Sequence, residues 1–238
     1  MNSYNYEGFS ARDYDFDNAT GPQCGEKAPN CQVSDLDGNL RHLLNFEGEF
    51  LVLEMGSLSC PLFQTRRGSM QTLETGDTRI SNAILYVREA HPGADIPQHK
   101  SFDDKRSCAH RLKVEDNEAR TVFVDDLEGT AHNAYGGMPN TVFIINRNGC
   151  VVFRGEWNDT TATQAALDAF INGRPIQVRS YFKPGLPLIS LRTLKRAGKG
   201  SGSDFLRSFP SLLWNNLIKR NIRTLFNRQP SMTSKKTC

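Results

Sequence analysis

The run Phe50-Leu-Val-Leu-Glu-Met-Gly-Ser-Leu-Ser-Cys-Pro-Leu-Phe63 constrains this chain more than any other segment. An apolar stretch of strand character stops at the small residues Gly56 to Ser59, and Cys60-Pro61 then opens a segment of helical character. Proline suits the first turn of a helix, where its missing N–H would have no intrahelical partner. A sulfur there meets free backbone N–H groups and the positive end of the macrodipole, which favour thiolate over thiol. An isolated cysteine is ordinarily a small buried hydrophobe. Strand, turn, Cys-Pro and helix together mark Cys60 as a reactive thiol instead.

Around that segment the apolar pattern alternates between the strand and helix periods. Residues 31–43 alternate about Asp37-Gly38, a hairpin signal. Further strands are expected at 83–88, 121–124, 141–145 and 150–153, the last two joined by the turn-forming Asn146-Arg-Asn-Gly149. Helices are expected at roughly 61–75, 101–113, 128–135 and 160–171, the last opened by Asp159. A hairpin followed by β-α-β-α-β-β-α implies an α/β fold with a mixed central sheet flanked by helices. The six cysteines (24, 31, 60, 108, 150 and 238) form no CxxC pair and no zinc spacing, so they read as separate thiols without a disulfide framework or a metal site.

Charge divides the chain. From Arg179 onward there are 13 Lys and Arg against the single acid Asp204, a balance of +12, whereas the preceding residues carry 16 against 25, or −9. The organisation read from this is a mobile N-terminal arm (1–22), a globular domain (23–178) and a basic tail (179–238). Within the tail, Gly198 to Ser203 has linker composition, and apolar residues from Phe205 to Phe226 recur at three- and four-residue spacing among Lys219, Arg220 and Arg223. Residues 205–228 are thus an amphipathic basic helix suited to the chain's own body, an anionic membrane surface or a protein partner. Nucleic acid is not expected, since no recognised binding motif accompanies the thinly interleaved charges. With no apolar run of the roughly 18 residues a membrane span needs and no signal-peptide pattern at the start, the expected location is cytoplasmic, with peripheral membrane association through the tail as an option. A homodimer remains open.

Three motifs in order give the chain a family resemblance. Gly56-Ser-Leu-Ser-Cys-Pro-Leu-Phe63 resembles the active-site segment of the iodothyronine deiodinases, Gly-Ser-Cys-Thr-selenocysteine-Pro-Pro-Phe, with Cys60 in the selenocysteine position. Tyr86-Val-Arg-Glu-Ala-His91 is similar to their Tyr-Ile-Glu-Glu-Ala-His strand end, Ile96-Pro-Gln-His99 to a following segment with a second histidine, and Asp125 falls on their Val-Asp segment. The likeness covers about residues 25 to 172. It implies a thioredoxin-like fold with an N-terminal β-hairpin extension, a cis proline at Pro139, and a catalytic set of Cys60, Ser57, Tyr86, Glu89, His91 and His99. No bound cofactor is implied, only an external thiol reductant. Two departures accompany it. Leu58 replaces the family's second thiol, leaving resolution of an oxidised Cys60 to an external thiol or to Cys24, Cys31, Cys108 or Cys150. Thr141 replaces the family arginine that would grip an iodothyronine phenolate, which argues against thyroid hormone as the natural substrate.

The chemistry these residues suit is reductive dehalogenation of a small molecule such as a halogenated phenol. Cys60 would accept the halogen, Ser57 would hydrogen-bond its thiolate, and Tyr86, Glu89 and His91 would relay a proton. Two alternatives compete with it. One is a peroxiredoxin-like thiol peroxidase acting on a peroxide through a sulfenic acid, with Ser57 where that family has threonine and Leu53 where it has proline. The other is a non-catalytic redox-fold module working through the tail. His42, His110 and His132 share no ligand-like spacing and read as surface or structural.

Overall fold

The apolar run at 50–56 becomes an interior strand of a seven-stranded sheet. The structure, a computed structural model, describes residues 4–18, 20–74, 77–174, 178–226 and 238. In chain order the strands and helices are β1 (Gln32–Ser34), β2 (Leu40–His42), β3 (Phe50–Gly56), α1 (Pro61–Gln71), β4 (Ile80–Tyr86), α2 (Phe102–Val114), β5 (Thr121–Val124), α3 (Thr130–Ala134), β6 (Val142–Asn146), β7 (Val151–Gly155), α4 (Thr160–Ile171), α5 (Pro187–Ala197), α6 (Ser201–Leu212) and α7 (Asn221–Phe226). A π-helical stretch, Leu213–Arg220, joins α6 to α7. The sheet order is β2-β1-β5-β4-β3-β6-β7, with β3, β4 and β5 parallel and β6 and β7 antiparallel to their neighbours. The quartet β4-β3-β6-β7, with α1 crossing from β3 to β4 and α4 after β7, is the thioredoxin-like arrangement. β5 extends it, and the β1–β2 hairpin joins as the expected extension through Ser34 opposite Val124.

Strand parity divides the core. Leu51, Leu53 and Met55 face a cluster with Leu85, Phe143 and Ile145, whereas Val52 packs with Ile144, Phe153 and Leu167 of α4. Ile84 and Tyr86 meet α1 and α2 through Phe63, Ala109 and Leu112. Ser101 caps α2 in a reciprocal box with Asp104, and Asp159 caps α4 by accepting from the Thr161 N–H at 3.2 Å.

Four expectations are corrected. Among the described residues no peptide bond is cis, so Pro139 is trans. Residues 4–18 are not a loose arm: Phe9 and Tyr14 are buried, Tyr6 donates to the Ala90 carbonyl at 3.0 Å, and the Arg88 guanidinium lies 5.0, 4.7 and 5.1 Å from the rings of Tyr4, Tyr6 and Tyr14. Aromatics without a period thus order themselves around one cation. Cys150 and Cys238 form a disulfide, which removes Cys150 from the candidate resolving thiols.

The fourth correction concerns the tail, which packs on the body rather than standing apart as an independent anchor. The supposed linker is a docked turn: Ala94 donates to the Lys199 carbonyl at 2.9 Å, Asp95 and Ile96 to Ala197 at 2.9 and 3.1 Å, and Ser201 to His91 at 3.0 Å. Trp157 Nε1 donates to Asn216 at 3.0 Å, and acids of the body meet the basic helices in the pairs Asp116–Arg196 (2.9 Å), Asp17–Lys219 (2.7 Å), Asp17–Arg223 (2.7 Å) and Glu156–Arg220.

Gly198 holds this turn at φ +90°, where a Cβ would lie 2.5 Å from an Asp95 carboxylate oxygen. Gly198→Ala should therefore cost about 1–3 kcal/mol, which for a chain of this size lowers Tm by about 2–4 °C per kcal/mol. Thermal unfolding checks this, and an unchanged melting point would mean that the turn is free of Asp95.

Candidate active site

Cys60 occupies the N-cap of α1 with extended backbone (φ −87°, ψ 109°), and Pro61 follows inside the first turn. The turn closes through the Cys60 N–H on the Ser57 carbonyl at 3.3 Å, and the Cys60 carbonyl accepts from Gln64 at 3.0 Å. Gly56 lets α1 seat on β3, since a Cβ there would lie 2.4 Å from the Phe63 ring. Burial pushes the Cys60 thiol up to about 11, against the backbone N–H groups of Phe63 and Leu62 and the charge of Arg66, all of which favour the thiolate. The helix-start effect read from the sequence is present but smaller than the desolvation of a fully buried sulfur.

Against the cysteine turn, through Leu58 and Ser59, stands a hydrogen-bonded set built on Glu89. Its Oε2 accepts from the Ser59 N–H at 2.9 Å and the Ser59 hydroxyl at 2.6 Å. Its Oε1 accepts from the Tyr86 hydroxyl and lies 3.2 Å from His99 Nε2. Tyr86 Oη in turn accepts from the Leu58 N–H at 3.2 Å. Burial alone would raise the Glu89 carboxyl, but His99, Ser59 and Tyr86 hold it below the usual carboxylate range, so it stays charged. Tyr86 goes the other way: burial and the Glu89 charge raise its phenol well above the ordinary value.

The structure divides the other expected residues. Ser57 Oγ accepts from the Ala90 N–H at 3.2 Å, a bond between the loops that follow β3 and β4. His91 is joined to the set only through its backbone N–H, which donates to Ser59 Oγ at 3.1 Å. Its ring lies between Phe9 (4.0 Å) and Phe205 (5.5 Å), with Nδ1 buried and unpartnered among the described residues. Burial lowers His91 to about 3, so the ring is neutral at physiological pH. Asp125 caps α3, accepting from Ala131 at 3.0 Å and His132 at 2.9 Å. Buried His132 bonds Tyr4 and the Met138 carbonyl, both at 2.9 Å, while His42 and His110 are exposed.

Sequence reasoning missed two parts of the site. One is a buried charge network under the cysteine turn. Glu54 accepts from Arg120 at 2.7 Å, Asn140 at 2.9 Å and Asn158 at 2.6 Å, and Glu118 meets Arg120 at 2.9 Å. Arg66, one helical turn and a half beyond Cys60, reaches Asn140 at 3.4 Å. An unpaired buried charge is costly, so the isolated Glu54 within an apolar strand was the available signal. The other is an apolar chamber of about 1180 Å³ that borders Cys60 and His91 and is walled by Phe9, Trp157 and the helices after Arg179. The sulfur sits just behind this lining with no exposed surface, so a ligand reaches it only when a lining side chain shifts.

Of the thiols, Cys108 shares the Cys60 cluster, whereas Cys24 and Cys31 pack on the opposite face of the sheet. Burial raises Cys108 and Cys24 to about 12. Glu89, His99 and Cys108 bring potential ligand atoms within 4.8 Å of one another. Both Glu89 oxygens there already accept hydrogen bonds, which suits a polar relay better than a metal centre.

Comparison with known proteins matches this architecture. The family model for iodothyronine deiodinase covers residues 7–165, including the Cys60 turn and the Tyr86–His99 segment. The chain belongs to the iodothyronine deiodinase family. It is 29% identical over 143 residues to a type I iodothyronine deiodinase of Xenopus laevis (56% of each chain). It is 32% identical over 144 residues to a thyroxine 5-deiodinase of Ovis aries (55% of this chain, 49% of that one), and 30% identical to the Homo sapiens enzyme of that name (55% and 47%). The chain thus spans about half the length of the curated relatives it matches. Among solved structures, a hypothetical protein of Sinorhizobium meliloti superposes with a TM-score of 0.53 at 18% identity, covering 68% of this chain and 92% of that one, a likeness of fold alone. The deiodinase match takes in most of the arm and stops before the tail.

Two titrations follow. Alkylation of Cys60 in the folded protein should accelerate about tenfold per pH unit towards about 11; a plateau near the free-thiol value of about 8.5 would contradict the burial. Histidine burial acts at the acid end. Unfolded histidine takes up a proton near pH 6.5, but His91 and His132 resist until about 3. Their contribution is complete above pH 6.5 and lost as pH falls towards 3, at about 1.4 kcal/mol per unit for each ring. Urea midpoints at neutral and acid pH measure this, and His91→Phe should flatten the slope.

Proposed function

We propose that this deiodinase-family chain is a thiol-dependent oxidoreductase that reductively dehalogenates an apolar halogenated phenol, with Cys60 in the selenocysteine position. The observation that carries the reading is that Cys60 borders the apolar chamber while its neighbour Ser59 bonds Glu89. A thiol is soft enough to take a halogen, and the thiol's own proton can replace the halogen on carbon. In that step the C–X and S–H bonds break while S–X and C–H bonds form. An external thiol then displaces halide from Cys–S–X, giving a mixed disulfide and HX. A second external thiol releases Cys60 as thiol and leaves as a disulfide. The net reaction converts one halogenated phenol and two thiols to phenol, hydrogen halide and one disulfide.

A high thiol pKa fits this scheme, because the proton on sulfur is consumed rather than lost to solvent. Glu89, held as a carboxylate, orients the Tyr86 and Ser59 hydroxyls at the cysteine turn, the groups through which a proton can pass. Neutral His91 faces the chamber with an unused nitrogen, suited to a substrate hydroxyl. With Thr141 donating to the Glu156 carbonyl at 3.1 Å, nothing at that position grips a phenolate.

The test offers purified protein an iodinated phenol and a dithiol and measures iodide release. Cys60→Ser should abolish release without unfolding the protein, and Tyr86→Phe should lower kcat by about 10²-fold or more. Iodide release that survives in Cys60→Ser would refute the assignment. Consumption of peroxide but not of the phenol would move the chain to the thiol peroxidases.

A further inference from the structure

The exposed apolar surface of this protein is concentrated in one place. Among the described residues, the exposed large hydrophobics are Leu40 and Val114 in the body and, for the rest, residues from Leu186 to Phe226. On the helices after Gly200 they form a continuous stripe at three- and four-residue spacing: Leu206 (69% exposed), Phe209 and Leu213, then Trp214 (59%), Ile218, Ile222 and Leu225. Its first three members also line the chamber that borders Cys60. The stripe and the mouth of the chamber therefore share one surface.

The charges around this surface are mainly basic, with Asp95 and Asp204 as acids among them. Arg192, Lys195 and Lys199 are exposed and make no ion pair with any described residue, and Arg207 is 80% exposed beside Asp204, the sole acid of the segment. Among the described residues, Lys183, Arg196, Lys219, Arg220 and Arg223 bond acids of the body and hold the tail in place. Packing of the tail thus pairs part of its positive charge and leaves Arg192, Lys195 and Lys199, with the apolar stripe, facing outward. A protein monomer rarely leaves so large a contiguous apolar surface uncovered. Apolar side chains that would enter acyl chains, ringed by cations that would meet lipid phosphates, describe an interfacial helix.

We propose that the helices after Gly200 dock on an anionic lipid bilayer, with the mouth of the Cys60 chamber turned towards the lipid. A substrate would then arrive by partitioning into the bilayer, which fits the apolar lining and selects membrane-soluble molecules over polar ones. The docking surface lies beyond the family match, so it is a property of this chain's own tail. It does not depend on dehalogenation, because its readouts are vesicle binding and thiol protection.

The experiment uses the full chain and vesicles of phosphatidylcholine with or without phosphatidylserine. Binding is followed by co-sedimentation and by the fluorescence of exposed Trp214, with Trp157 buried at 4%. Binding to the anionic vesicles is expected, with a blue shift and loss on raising salt, and each unpaired cation should add up to about fivefold to affinity. Ile218→Glu with Ile222→Glu, two exposed positions outside the chamber lining, should weaken binding at least about tenfold while leaving the melting temperature and Cys60 alkylation in free solution unchanged. Anionic vesicles should slow alkylation of Cys60 by a water-soluble maleimide in the parent protein and not in the double variant. Absence of binding, or equal binding by the double variant, would overturn the proposal. A parent protein whose mass in solution is doubled and which the double variant renders monomeric, without vesicle binding, would assign the stripe to a second copy. Binding without protection of Cys60 would overturn the placing of the chamber mouth.

Discussion

Glu54 is the constraint on which the site depends. A carboxylate at the centre of an apolar strand, wholly buried, persists only if every oxygen is paired. Its partners are Arg120 from the entry to β5, Asn140 beside Pro139, and Asn158 beside Trp157. The one group therefore ties together the strand that ends at the cysteine turn and two loops that line the chamber. Removing Arg120 would leave the Glu54 charge uncompensated, and removing either asparagine would free its loop from this anchor. The network also sets the electrostatics of the thiol: Glu54 disfavours the Cys60 thiolate, Arg66 favours it, and burial outweighs both.

A second tier of organisation uses the chain's charge asymmetry. Acids of the body at Asp17, Asp116 and Glu156 are the docking points for the basic helices. Exposed ion pairs contribute little each, about 0–1 kcal/mol, so the docking rests on the Gly198 turn and the Trp157–Asn216 contact as much as on charge. The result is a chamber with a deiodinase-type floor and a roof from outside the family match.

What could be read from the sequence follows from which interactions are local. Strands 50–56 and 121–124 and helices 102–114 and 160–171 were legible within a few residues, because period, caps and turn residues act over short spans. Tyr86, Glu89 and His99 were legible as a motif, and the fold brings all three together. The Glu54 network was not, since its partners lie 66 to 104 positions away. Helix α5 was missed because Pro184 and Pro187 look like breakers, although Pro187 opens the helix at its first turn. Gly198 to Ser203 has the composition of a linker, and only backbone partners at 91–96 make it a fixed turn. The thiolate expectation weighed a local dipole without the desolvation that a distant roof imposes.

The Cys150–Cys238 bond gives the tail a topological role. It joins residues 88 positions apart, so β7, α4 and every helix of the roof belong to one covalent ring. Closing a ring of that size removes unfolded-state entropy worth about 4–5 kcal/mol. The roof is thus retained by chain connectivity as well as by contacts, and local detachment of α6 need not lead to its loss. A thiol able to reset Cys60 is also of the chemical class that opens this ring, which links the reducing power that sustains the reaction to the stability of the chamber in which it occurs.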